Sequence, residues 1–275
     1  MATKKKPSRT SRSKRKEKIQ GIQEIEAVKE IEDALNPFGD DYENPNPIKA
    51  LIKVKNFAWT DRQKEFFRVA LHPSTKVVFV NGPAGTAKTL LSVYCGLQLL
   101  NMKVCSDIMY LRSAVESSNS QLGFLPGSAE DKLRFYNMPF LDKLDELLLT
   151  KTPEKLEQEK RISMFPVNFA RGMNWNAKCV ILDEAQNSTE KEITTVLTRL
   201  GKNSRCFVLA DPMQTDLRSE RIIGGFEKLV RVFSDEESVN QGIYTFNFSE
   251  EDIMRSKLVK FLITKLSRYD RENEG

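Results

Sequence analysis

The stretch that decides the fold is Val77-Val78-Phe79-Val80-Asn81-Gly82-Pro83-Ala84-Gly85-Thr86-Ala87-Lys88-Thr89. Four apolar residues of strand length run into a glycine-bearing loop, and an amphipathic helical segment follows at 89–100. Strand, loop and helix in that order are the context a Walker A phosphate loop requires. Loop and helix N-terminal amides then point at phosphate oxygens. Lys88 would reach the β and γ phosphates, and the Thr89 hydroxyl would ligate magnesium. Gly82, Pro83, Ala84, Gly85, Thr86, Ala87, Lys88 and Thr89 are therefore the expected nucleotide-binding residues. The position before the lysine is usually glycine, and here it is Ala87. Its methyl can crowd phosphate or disfavour the loop's backbone angles.

Outward from this loop, apolar runs alternate with helical patterns. Residues 76–80, 106–111, 178–182, 205–210 and 242–247 read as strands, and 89–100, 189–200 and 251–266 read as helices. Alternation of this kind predicts an α/β domain whose central sheet is mostly parallel and flanked by helices on both faces. The run at 178–182 ends in Asp183 and Glu184. Ligands of open α/β sheets bind at the carboxyl ends of strands. Asp183 is expected to hold magnesium, and Glu184 to orient and deprotonate the attacking water. The run at 205–210 ends in Asp211-Pro212-Met213-Gln214. Gln214 is placed either at the γ phosphate or in an ordinary strand-ending turn.

The net charge of +5 is unevenly spread: residues 1–18 carry nine Lys or Arg and one acid, and the rest of the chain is slightly acidic at −3. This tail reads either as a disordered arm for nucleic acid or as a solvated extension. Residues 19–54 read as a helical segment followed by a Pro- and Asn-rich linker, with Ile22, Ile25, Val28, Ile31 and Leu35 at helical spacing. That helix would dock either on the core or on a partner. The ATPase-type domain is drawn over 55–270.

Four cysteines without a C-x-x-C pair, each in an apolar segment, read as small core residues in a reducing compartment. A single histidine, His72, argues against a His-based metal cluster or a Ser-His triad. No apolar stretch is long enough for a bilayer and the N-terminus lacks a signal-like apolar core, so a cytoplasmic protein is expected.

Taken together, GPAGTAKT at 82–89, RSAVES at 112–117, LGFLPG at 122–127, FARG at 169–172, VILDEAQN at 180–187, LTRLG at 197–201 and DPMQTDL at 211–217 resemble the PhoH-like family, over about residues 57–266. The resemblance implies a single RecA-like P-loop NTPase domain related to superfamily 1 helicase motors. It further implies ATP with magnesium, assembly as a ring with six subunits the guess, RNA or single-stranded DNA as partner, and phage carriage of some members. By the same resemblance Gln63 would read adenine, the alternative being a polar residue on an exposed helix face. Arg112, Arg171, Arg199 and Arg255 sit in matched segments. Superfamily 1 motors place arginine fingers on a second domain, and this chain has room for one. The finger is therefore expected from a neighbouring subunit, Arg255 first and Arg199 next, the alternative for each being a surface ion pair. The polar stretch at 117–132, with Phe124, reads as a pore or nucleic-acid loop or as a subunit contact. Three functions compete: a nucleic-acid motor, an ATP-dependent interaction switch, and a small-molecule kinase, for which no arginine-rich lid is evident.

Overall fold

The computed structural model describes residues 44–112, 129–167, 175–211 and 224–273. The basic tail, the helical segment at 19–35, the candidates Gln214, Arg171 and Phe124, and most of the 117–132 stretch lie outside the described residues.

Six strands form one sheet: β1 (Val77–Asn81), β2 (Asp107–Arg112), β3 (Ile162–Pro166), β4 (Lys178–Asp183), β5 (Arg205–Ala210) and β6 (Ile243–Asn247). Every pairing is parallel and the order is β3-β2-β4-β5-β1-β6. The β5 strand lies between β1 and β4. Its register sets Asn81 opposite Ala210 and Leu182 opposite Val208, which brings three strand ends to one edge.

Helices cover both faces, as the alternation required. Along β1 the side chains divide with period two. Val78 and Val80 join one core with Phe66, Leu91 and Phe140, while Val77 and Phe79 join the other with Ile193 and Phe226. The first face is covered by α1 (Asp61–Leu71), α2 (Lys88–Asn101) and α3 (Ala129–Leu147). The second is covered by α5 (Glu190–Leu197) and α6 (Gly225–Val232). The short helices α4 (Pro153–Gln158) and α7 (Glu236–Asn240) lead into β3 and β6, and α8 (Lys257–Asn273) ends the chain. Side-chain caps place several boundaries. Thr60 and Gln63 form a capping box on α1, Thr189 and Glu192 form one on α5, and Thr152 with Pro153 starts α4.

Two expectations are corrected. Residues 44–54 are packed onto the domain and do not form a linker. Ile48 and Ile52 are buried, Ile52 exchanges hydrogen bonds with the Asn101 side chain, and the Arg161 guanidinium donates to the Asn46 and Pro47 carbonyls. The helix read over 251–266 is broken. A single 3-10 turn spans Glu250–Asp252, an extended step carries Ile253–Arg255, and α8 starts only at Lys257. Burial of Ile253 and a bond from the Met254 amide to the phosphate loop outweigh helix continuation there.

The four cysteines are free and buried, and burial pushes the Cys105 and Cys206 thiols up to about 12. They are core residues without thiolate chemistry. Among the described residues no helix is long and apolar enough to cross a membrane.

Candidate functional site

The phosphate loop leaves β1 at Gly82 and closes into α2 at Lys88. A Cβ at Gly82 would lie 2.7 Å from that of Phe248, so only glycine lets the loop pass this neighbour. Gly85 adopts φ +84, and a Cβ there would meet Arg255 Cγ at 2.8 Å. Ala87 takes a left-handed conformation, φ 65 and ψ 22, at the N-cap of α2. Glycine suits that conformation best, and alanine carries a cost of about 1–2 kcal/mol.

Within the loop Lys88 Nζ donates to the Gly82 carbonyl at 2.6 Å and to the Pro83 carbonyl at 3.1 Å, and Thr86 Oγ1 donates to Pro83 at 2.9 Å. The ammonium thus sits in the loop's mouth. Burial depresses its pKa, against the opposing pull of Asp211, Asp183 and Glu184. An anionic group entering the loop would satisfy a lysine held in that way.

Two strands away the acidic pair ends β4. Thr89 Oγ1 donates to Asp183 Oδ2 at 3.1 Å, the Tyr110 hydroxyl donates to the same oxygen at 2.9 Å, and the Glu184 amide donates to Oδ1 at 3.0 Å. Burial raises the Asp183 pKa, with Glu184 adding to the rise and these three donors opposing it. Burial also pushes the Tyr110 hydroxyl well above its ordinary value, so it stays a donor. A hydroxyl and a buried carboxylate in contact, facing a lysine, are the hard oxygen donors that suit magnesium. The residues present therefore fit a Mg-nucleotide.

Glu184 turns the chain with φ 55 and ψ 38. Its Oε2 accepts from Gln186 Nε2 at 2.6 Å, and its Oε1 lies 4.0 Å from Arg112 Nη2. Gln186 Oε1 in turn accepts from the Asp211 amide at 3.0 Å. The side chain of Gln186, itself buried, therefore ties the end of β4 to the end of β5. Sequence reasoning used Gln186 only as part of a motif and missed Tyr110 altogether. The signal for Tyr110 was a hydroxyl within the apolar run Ile108–Leu111.

These groups line one cleft of about 330 Å³, among them Gly85, Lys88, Thr89, Asp183, Glu184, Gln186 and Asp211. Lys143 and Glu146 of α3 line it too, as do Met254 and Arg255. The volume lies in the range of small-molecule sites.

The arginine expectations change most. Arg255 borders its own chain's phosphate loop, and the Met254 amide donates to the Gly85 carbonyl at 2.9 Å. Arg255 thus lines its own chain's cleft, which argues for a role in cis rather than as a finger in trans. Arg199 does not line the cleft. Its Nη1 donates to the Thr195 carbonyl at 2.9 Å, capping the end of α5, and its carbonyl accepts from Trp175 ahead of β4. That places it beside the start of β4, at the other end of the strand from the acidic pair. Gln63 is buried, not on an exposed face. Its side-chain oxygen accepts from the Thr60 amide at 3.0 Å, and it does not border the cleft.

A phosphate loop on β1, an acidic pair on β4 and a polar end on β5, all on one edge of a parallel sheet, define a RecA-like P-loop NTPase domain. Within that class the chain belongs to the PhoH-like protein family, which matches residues 56–267. A PhoH-like protein of Bacillus subtilis is 34% identical over 222 residues, covering 81% of this chain and 65% of that relative. One of Synechocystis is 31% identical over 218 residues, covering 79% and 63%. Protein PhoH of Escherichia coli is 32% identical over 187 residues, covering 67% and 51%. The chain thus spans between about half and two thirds of the length of these relatives.

Proposed function

We propose that this chain binds ATP with magnesium, hydrolyses it, and couples the cycle to single-stranded RNA or DNA. The observation that carries this reading is the convergence of Lys88, Thr89, Asp183, Glu184 and Asp211 on one cleft. Lys88 would exchange its two loop carbonyls for phosphate oxygens. Thr89 and Asp183 would hold magnesium, which neutralises phosphate charge when bound. Glu184, released from Gln186, would accept a proton from the attacking water. Arg255 would face the phosphates from within the same chain, and Gln214, three residues past Asp211, would sense the γ phosphate.

The nucleic-acid coupling rests on the family and on the basic tail. A second reading, an ATP-dependent switch that assembles without unwinding strands, is favoured by one sheet being the whole of the described motor. One measurement separates the two: ATP turnover with and without single-stranded RNA or DNA. Stimulation supports the coupling, and slow unstimulated turnover supports the switch. Lys88→Ala is expected to lose nucleotide binding. Glu184→Gln is expected to bind but to turn over about 10²–10⁴-fold more slowly. Full turnover in Glu184→Gln would remove Glu184 as the base.

A further inference from the structure

The segment that follows β6 is held at several points along its length. The Phe248 amide donates to the Asn81 carbonyl at 2.7 Å, Ser249 and Asp252 form a capping box around the 3-10 turn, and Ile253 is buried. The Met254 amide then donates to the Gly85 carbonyl, which fixes this residue's backbone against the phosphate loop. Its side chain is bare by contrast. Of the three large apolar side chains among the described residues that line the cleft, Leu209 is fully buried, Leu90 is 9% exposed and Met254 is 55% exposed. Met254 therefore offers an apolar, polarizable surface in a cleft rich in charged groups.

The strand order says which part of a nucleotide would meet that surface. The acidic pair ends β4, and β5 and β1 stand between β4 and β6. The step Ile253–Arg255 comes off β6, so it reaches the phosphate loop from the side opposite Asp183 and Glu184. A triphosphate lying in the loop with its terminal phosphate at Glu184 directs its nucleoside toward this opposite side. Gln63, the residue expected to read adenine, does not line the cleft. It is 5% exposed, and its side-chain oxygen accepts from the Thr60 amide in the capping box of α1. Reaching a base would require Gln63 to leave that cap.

We propose that Met254 is the platform on which the nucleobase stacks, and that the cleft accepts purine nucleotides with little preference between adenine and guanine. This rests on the nucleotide site proposed above and adds its base specificity. A thioether against an aromatic ring is a favourable contact, and every base has a face to offer. The difference between adenine and guanine lies on their edges, which a platform does not read. A site that hydrogen-bonds a distinguishing group can reject its analogue by about 10⁴–10⁵, whereas a stacking surface discriminates weakly. The bond from Met254 to Gly85 sets platform and phosphate loop in a fixed relation before any ligand arrives, which lowers the cost of ordering them on binding.

The test is calorimetric titration of the full chain with ADP, GDP and pyrophosphate, each with magnesium, which needs no turnover. ADP and GDP are expected to bind within about threefold of one another. Met254→Ala is expected to weaken both by roughly three- to tenfold and to leave pyrophosphate, which has no base, unchanged. Met254→Leu restores an apolar body and is expected to recover most of the loss. Gln63→Glu keeps the capping box, where glutamate serves equally, but removes the donor that adenine N7 would require. Its ADP affinity is expected to stay within about twofold of the unaltered chain, since a base on a platform ignores that donor. Melting followed by circular dichroism shows whether each variant stays folded. Pyrophosphate and ADP that bind while Met254→Ala matches the unaltered chain overturn the platform alone. So does ADP preferred over GDP by about tenfold or more, or a loss in Gln63→Glu confined to ADP. Failure of all three ligands to bind overturns the platform together with the nucleotide site beneath it.

Discussion

At the scale of single residues, the site accepts local costs that a purely structural protein would avoid. Asp183 is a buried carboxylate whose pKa is raised by burial. The sign follows from linkage. With its folded pKa above its unfolded one, the folded state holds the proton more tightly, so stability falls as pH climbs from the ordinary carboxylate range through the folded value. In Asp183→Asn that dependence is absent. In the absence of magnesium and nucleotide, the stability of Asp183→Asn relative to the unaltered chain is expected to improve as pH rises through this window, then level off. Each kcal/mol of that change moves Tm by about 2–4 °C in a domain of this size. Magnesium with nucleotide should erase the difference by supplying the missing positive charge. A relative stability that is flat with pH would show that Asp183 is not strained by its burial. Ala87 carries a different cost, that of its left-handed backbone. Ala87→Gly relieves it but adds freedom to the unfolded chain, so a net gain of up to about 1 kcal/mol is expected in chemical denaturation. A loss would show that the methyl packs to more effect than its backbone strains.

At the scale of elements, the step between β6 and α8 matters more than its length suggests. Its amide at Met254 holds Gly85, and Arg255 lies over the same loop. The arginine is therefore expected to act within its own subunit. Mixing Lys88→Ala chains with Arg255→Ala chains tests this directly. An arginine acting in trans would let the intact cleft of one variant borrow the intact arginine of the other, and turnover would reappear in the mixture. An arginine acting in cis leaves the mixture as inactive as its parts, which is the expected result.

At the scale of the whole molecule, the parts of the fold legible in the sequence were those where one local pattern has one structural solution. The runs ending at Gly82, Asp183 and Asp211 are fully buried parallel strands, which read as unbroken apolar stretches. The glycine loop between strand and helix leaves little choice of conformation. What was illegible depended on distant partners. Ile162–Pro166, with serine and two half-buried large residues, becomes β3 only because β2 offers it an edge. The segment 44–54 looked like linker until Asn101 supplied backbone partners for Ile52 and Arg161 for Asn46 and Pro47. The helical spacing of 251–266 is real, but it loses to a bond with a loop about 170 residues earlier in the chain. The ties among Tyr110, Asp183, Glu184 and Gln186 needed the register of three strands, which no single segment carries.

The strand order also has a consequence for the order of events during synthesis. The β1 strand, which feeds the phosphate loop, finds both neighbours late: Val77 pairs with Cys206 on one side and with Ile243 on the other. Closing such distant pairings is slow and waits on the chain that supplies them. The loop is made before either partner, and its supporting strand gains its first neighbour only with residues 206–210 and its second only with residues 243–247. A growing polypeptide therefore lacks the full scaffold of its phosphate loop until most of the domain has been made.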